Sequence, residues 1–123
     1  MKVLKFGGTS VANAENIKLV LDIVIKKATQ EKHIVVVSAF TKVTDLLVLA
    51  SQKAASNDES FKKIVVEIEK KHLDAIKQLI PVSEQSSALS HIKRIINHLE
   101  TLLEGCFLLG ELSPRTSDTI LSF

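Results

Sequence analysis

The first six residues, Met1-Lys-Val-Leu-Lys-Phe6, are rich in apolar side chains and are closed by Gly7-Gly8. A short apolar run ending in glycines predicts a buried strand followed by a tight turn. The period then changes. Ile17, Val20, Leu21, Val24 and Ala28 recur at helical spacing, which predicts an amphipathic helix over about 14–31 with Asn13 as its N-cap. Residues 34–37, Ile-Val-Val-Val, form a β-branched run of the kind found in strands buried on both faces. Strand, helix and strand within 37 residues make a right-handed βαβ unit with parallel strands. Two strands do not make a stable open sheet, so this unit calls for more of them.

Beyond Ser38 the pattern is helical. A short helix is expected over 43–55, with Thr41 as a candidate cap. Ser56-Asn-Asp-Glu59 has the spacing of a capping box, opening a long helix to about Ile80. Phe61, Ile64, Val65, Ile68, Ile76 and Leu79 form its apolar face. Pro81 and Val82 break the chain, and Ser83 can cap a third helix. Leu89, Ile92, Ile96, Leu99 and Leu103 make that helix's stripe, which ends near Gly105 or Gly110. Residues 57–109 therefore read as one antiparallel helical hairpin. Ser113-Pro114 starts a last helix, with Ser as cap and Pro at the first helical position.

Composition narrows the class. The 123 residues are 46% hydrophobic and 24% charged, the balance of a globular protein able to bury roughly 65–70% of its unfolded surface. A net charge of +2, with five Phe and no Tyr or Trp, argues against a nucleic-acid binder. The single cysteine, Cys106, offers no intrachain disulfide and no paired metal or redox motif. The start lacks the apolar core of a signal peptide and no apolar run is long enough to span a bilayer, so a cytoplasmic protein without membrane contact is expected. The last residues, Ile120-Leu-Ser-Phe123, are apolar and uncapped, as expected of the opening part of a longer domain.

Chemistry is expected where strands hand over to helices, because ligands of parallel sheets bind at the carboxyl ends of strands. Gly7 and Gly8 leave room for phosphate oxygens to approach backbone N–H groups, Thr9 and Ser10 add hydroxyls, and the following helix adds its positive dipole end. Lys5 supplies a full charge beside them. The run is neither a Walker-type P-loop nor GxGxxG, and Gly-Gly after a strand can equally be a plain turn. The second loop, Ser38-Ala-Phe-Thr-Lys-Val-Thr44, repeats the theme with Lys42 nearby. Two such loops on adjacent strands could hold a phosphorylated ligand and a small polar partner.

Together these motifs resemble a family. Lys5-Phe-Gly-Gly-Thr-Ser-Val11, then Val-Val-Ser-Ala with Val43-Thr44 and Leu46-Leu47 behind it, then Glu111-Leu-Ser-Pro-Arg-Thr116, closely resemble the start of aspartate kinases. The stretch 11–15 looks most like bifunctional aspartokinase–homoserine dehydrogenases. The resemblance implies the amino-acid kinase (carbamate kinase-like) fold, a three-layer α/β/α sandwich. Residues 1–123 would be the N-terminal portion of its catalytic domain, with two parallel strands and a large helical hairpin. It implies ATP-dependent phosphorylation of the side-chain carboxylate of L-aspartate to 4-phospho-L-aspartate, at the head of lysine, threonine, methionine and isoleucine biosynthesis. ATP with Mg2+ would be required, NADP only if a homoserine dehydrogenase half follows, and the intact enzyme would be a homo-oligomer. By motif position Lys5 would neutralise phosphoryl charge as the catalytic residue. Gly7, Gly8, Thr9 and Ser10 would complete the phosphate site, and Ser38, Ala39 and Thr44 would hold aspartate. Phe40 and Lys42 stand where smaller residues are usual. The family's downstream catalytic Asp and Lys would lie past Phe123, so the 123 residues alone are expected to be inactive, with surface left open for self-association.

Plainer readings stand beside these. Lys5 could be an exposed strand residue, Thr9 and Ser10 turn residues, and Thr44 a first-turn helix residue. His33, His72, His91 and His98 show no ligand spacing, and Cys106 reads as a small buried apolar residue. Arg115 could reach a phosphate, or more simply a neighbouring carboxylate. The alternative function is a free-standing α/β interaction or phosphate-binding module without kinase activity.

Overall fold

The computed structural model describes residues 1–123. The chain divides into two compact units, Met1–Val43 and Thr44–Phe123. In the first, β1 (Lys2–Phe6) leads through a glycine turn into α1 (Ala14–Ala28), and β2 (His33–Val37) follows. The strands pair in parallel, with Lys2 opposite His33, Lys5 opposite Val36 and Phe6 opposite Val37. The ladder continues one step past β2, where Ser38 N–H donates to the Phe6 carbonyl at 3.1 Å. Asn13 caps α1 as expected: its side chain accepts from Asn16 N–H at 2.9 Å. The helix stops at Ala28 rather than 31, where Thr29 takes the cap position and its hydroxyl donates to the Lys26 carbonyl.

Burial in this unit departs from expectation. Val11, Ala14 and Val20 are buried, but the residues of β2 are not: Ile34, Val35, Val36 and Val37 are 40–59% exposed. Leu21 and Ala28 of the expected α1 stripe are exposed as well. β1 is likewise mostly open, with Val3 exposed. The physical reason is layer number. A strand buried on both faces needs a layer on each side of its sheet, and within Met1–Val43 one helix faces a sheet of two strands.

The second unit is helical: α2 (Val43–Ala55, whose first residue closes the first unit), α3 (Phe61–Leu79), α4 (Val82–Leu109) and α5 (Pro114–Leu121). α3 and α4 pack as an antiparallel hairpin, the direction being fixed by the Glu69–Lys93 ion pair near its middle and by Asn57 bonding the Phe107 carbonyl at its other end. Phe61, Ile64, Val65, Ile68 and Ile76 of the expected α3 face are buried, as are Ile96, Leu99 and Leu103 of α4. The Phe61 and Phe107 rings lie 5.7 Å apart in a tilted contact.

Helix ends refine the expectations. The capping box at 56–59 does not form. Asn57 takes a left-handed conformation (φ 59°), and Asp58 accepts from Ser60 N–H at 2.9 Å, so the helix begins at Phe61. That backbone hydrogen bond, together with Ser60's hydroxyl and Lys53, holds the Asp58 carboxyl below its ordinary range. Ser83 does not cap α4. Pro81 takes that position, its carbonyl accepting from Glu84 N–H. Gly105 lies inside α4, and Gly110 ends it at φ 67°. A side chain there would be strained by the backbone and would meet the Asn57 carboxamide at 3.2–3.4 Å. Ser113 caps α5, accepting from Thr116 N–H at 3.1 Å, with Pro114 at its first position.

Leu103 is fully buried in the hairpin. Leu103→Ala is expected to destabilise the helical unit by about 2–5 kcal/mol. Val66→Ala, at a 63% exposed α3 position, should shift stability by no more than ~0.5 kcal/mol. Urea unfolding followed by far-ultraviolet circular dichroism checks both.

Candidate functional site

Parallel pairing brings the two loop-bearing strand ends side by side. Gly7 and Gly8 follow Phe6, Ser38 and Ala39 follow Val37, and these last strand residues are opposite each other. The first loop turns at once: the Gly7 carbonyl accepts from Ser10 N–H at 3.0 Å and Val11 N–H at 3.3 Å. Asn16, on the first turn of α1, donates its side-chain amide to the Thr9 carbonyl at 3.0 Å. The loop is thus tied at its start by its own backbone and at its end by the helix it enters.

The second loop is braced against the first. Thr41 Oγ1 donates to the Gly8 carbonyl at 3.0 Å, across 33 residues of sequence. A Cβ added at Gly8 would sit 3.9 Å from Ser38 Oγ and 4.0 Å from the Ala39 carbonyl, which is ordinary contact. At Gly7 it would meet nothing within 4 Å. Neither glycine has positive φ. Neither backbone conformation nor crowding within the chain therefore demands glycine at 7 or 8. What the missing side chain at Gly7 does leave is open space over a loop that runs into a helix N-terminus, the setting in which backbone N–H groups meet anions.

Lys5 sits on β1 opposite Val36, exposed and without an ion pair. Lys5, Gly7, Gly8, Thr9, Ser10, Ser38 and Ala39 all lie within Met1–Val43, and the loops that carry them share the Gly8 contact. Thr44 falls on the first turn of α2, directly after Val43. Two participants escaped the sequence reading. Asn16 was masked by its place inside a helix, and the Thr41–Gly8 brace is a long-range contact that no local pattern announces.

Lys42 adds a further feature. Val43 N–H donates to the Phe40 carbonyl at 3.1 Å, closing a four-residue turn with Lys42 in its third position at φ 69°. This is the position that type II turns give to glycine. For a lysine, left-handed backbone costs roughly 1–2 kcal/mol.

No group of three or more His, Cys, Asp or Glu is placed to hold a metal ion. Cys106 is buried, and burial pushes its thiol up from the ordinary range, the behaviour of an inert core cysteine. Arg115 forms no ion pair, contrary to the simple expectation of a carboxylate partner. No helix is long and apolar enough to cross a membrane.

Residues 1–111 match the model of the amino acid kinase family. The chain belongs to that family. It is 34% identical over 118 residues to the bifunctional aspartokinase/homoserine dehydrogenase 2 of Arabidopsis thaliana, covering 96% of this chain and 13% of that one. It is 36% identical over 125 residues to aspartokinase 1 of the same plant, covering 98% and 21%. Among solved structures it superposes on Escherichia coli aspartokinase III in complex with aspartate and ADP, with a TM-score of 0.81 and 26% identity over 99% of this chain and 25% of that one. The amino-acid kinase fold expected from the motifs is therefore the fold of this chain, in the portion that its two strands and five helices represent. The chain spans between about an eighth and a quarter of the length of these relatives.

Because neither φ nor packing requires glycine at position 7, Gly7→Ala is expected to leave the melting temperature unchanged or slightly raised. Gly110→Ala, at positive φ, should lower it; thermal melts compare the two. Cys106 should react with a thiol reagent far more slowly in the native chain than in urea, and equal rates would contradict its burial.

Proposed function

We propose that these residues form the phosphate-holding and aspartate-holding loops of an aspartate kinase, which transfers a phosphoryl group from ATP to the side-chain carboxylate of L-aspartate. The observation that carries the reading is the junction of the two loops. Gly7 leaves space that the fold itself does not use, Gly8 lies in contact range of Ser38 and Ala39, and Thr41 braces the second loop on the Gly8 carbonyl. Similarity to aspartokinases, one of them solved with aspartate and ADP, supports the choice of substrates.

The chemistry suits the residues. A carboxylate is ionised at neutral pH, so the attacking group needs no general base. What remains is positioning and neutralisation of charge around the transferred phosphoryl group. Lys5 is assigned the neutralising charge. The backbone N–H groups at Gly7 and Gly8, with Thr9 and Ser10, are assigned the phosphates. Ser38, Ala39 and Thr44 are assigned aspartate. Mg2+ is proposed to arrive on the nucleotide phosphates, the usual mode for this ion, since these residues present no cluster of their own for it. The place in lysine and threonine biosynthesis follows from the same proposal, as does inactivity of the 123 residues by themselves.

The test is a chimera in which these residues replace the matching quarter of E. coli aspartokinase III. It is expected to make ADP in an aspartate-dependent way, whereas the unfused chain makes none. Lys5→Ala in the chimera should lower kcat by roughly 10²–10³-fold, with a much smaller change in KM for aspartate. An unchanged rate would remove Lys5 from the mechanism. A folded chimera that binds ATP and never turns over would favour a phosphate-binding module without kinase activity.

A further inference from the structure

Two residues other than glycine hold left-handed backbone, Asn57 and Lys42, and they differ in what they receive for it. Asn57 is of the type that visits this region readily, and its side chain is used: Nδ2 donates to the Phe107 carbonyl at 2.6 Å, tying the start of the hairpin to its far end. Lys42 has neither justification. Its side chain is exposed and forms no ion pair, and its turn position favours glycine. The strain is held in place by the residues on either side. Thr41 is bonded to the Gly8 carbonyl, Val43 N–H to the Phe40 carbonyl, and the Val43 side chain is buried.

Backbone strain kept at a loop is reason to look for a function there, and the location is informative. Lys42 is the next residue after the one that touches the glycine turn. A lysine is a compact charge on a flexible four-carbon stem, so an ammonium anchored here can reach an anion lying over Gly7 and Gly8. Lys5 likewise lacks a carboxylate partner. The end of β1 and the loop after β2 thus carry two cations without ion pairs, with the open Gly7 backbone on the turn between β1 and α1, an arrangement that an anion with several charges complements and a single carboxylate does not.

We propose that Lys42 is a second phosphate-binding cation of this site, contacting the oligophosphate of the nucleotide beside Lys5. The proposal rests on the phosphate reading of the Gly7-Gly8 loop and adds a residue to it. Lys42 replaces the turn's preferred glycine because its charge raises affinity for the polyphosphate, at the expense of local stability.

The experiment uses the full chain, with inorganic tripolyphosphate as probe, followed by isothermal titration and by the backbone amide resonances of Gly7 and Gly8. Lys42→Gly relieves the backbone strain and removes the charge, whereas Lys42→Arg retains both. Lys42→Gly is expected to melt a few degrees higher than the parent chain and to bind tripolyphosphate at least tenfold more weakly. Lys42→Arg should melt like the parent and bind within a few-fold of it. Lys5→Ala serves as the independent probe of the site. If Lys5→Ala abolishes binding and Lys42→Gly leaves it unchanged, the phosphate site stands and the role of Lys42 falls. If tripolyphosphate fails to shift the Gly7 and Gly8 resonances in the parent chain, both readings fall. A Lys42→Gly defect confined to titrations with L-aspartate would also overturn the proposal, by assigning the charge to the carboxylate substrate instead.

Discussion

The Phe6–Val37 pairing at the end of a parallel two-stranded ladder is the constraint on which the candidate site depends. Parallel register makes both strands finish at the same edge, so the turns that leave them emerge as neighbours although more than thirty residues separate them in sequence. The Ser38 N–H to Phe6 carbonyl bond carries that register one step into the loops. Thr41 then joins the second loop to the Gly8 carbonyl. A slip of one residue in the pairing would turn every side chain to the opposite face and dissolve the juxtaposition of the glycine turn with Ser38.

Stability and chemistry are unevenly distributed along the chain. The helical unit Thr44–Phe123 has an apolar interior in which Phe61, Leu99, Leu103 and Ile120 are fully buried. Its ends are finished by specific bonds, such as Ser113 to Thr116 N–H and Asn57 to the Phe107 carbonyl. The unit Met1–Val43 buries few side chains and leaves its strands exposed, yet it carries seven of the eight residues assigned to phosphates and substrate. Surface loops held in position by a scaffold are where binding residues concentrate, and here internal bonds to the Gly7, Gly8 and Thr9 carbonyls do the holding. Membership of the amino acid kinase family gives that division a sense, since the matched residues are a fraction of the length of the relatives.

Much of this was legible from local pattern. The 3.6-residue stripes located α3 and α4 and named most of their buried residues, because a packed helix must turn one face inward whatever it packs against. Asn13 and Ser113-Pro114 announced helix starts through chemistry that acts over three residues. The motif around Gly7-Gly8 pointed to the family that the comparisons then established. Local rules failed where two local options competed. At 56–60 both a capping box and an Asx-type turn were available, and Asn57 chose by reaching the Phe107 carbonyl fifty residues away.

The sequence by itself therefore determined the order and type of the elements, the helix faces and the identity of the two loops, all properties set by neighbours within a few positions. Only the tertiary structure decided what those loops share. It showed that the two glycines are required by neither backbone angle nor packing. It showed too that Thr41 braces one loop on the other and that Lys42 is held in glycine's conformation. It also decided exposure: the apolar run of β2 looks like a buried strand from composition alone. Burial, however, depends on how many layers cover a sheet, and that is a property of the assembled chain, which no window of residues contains.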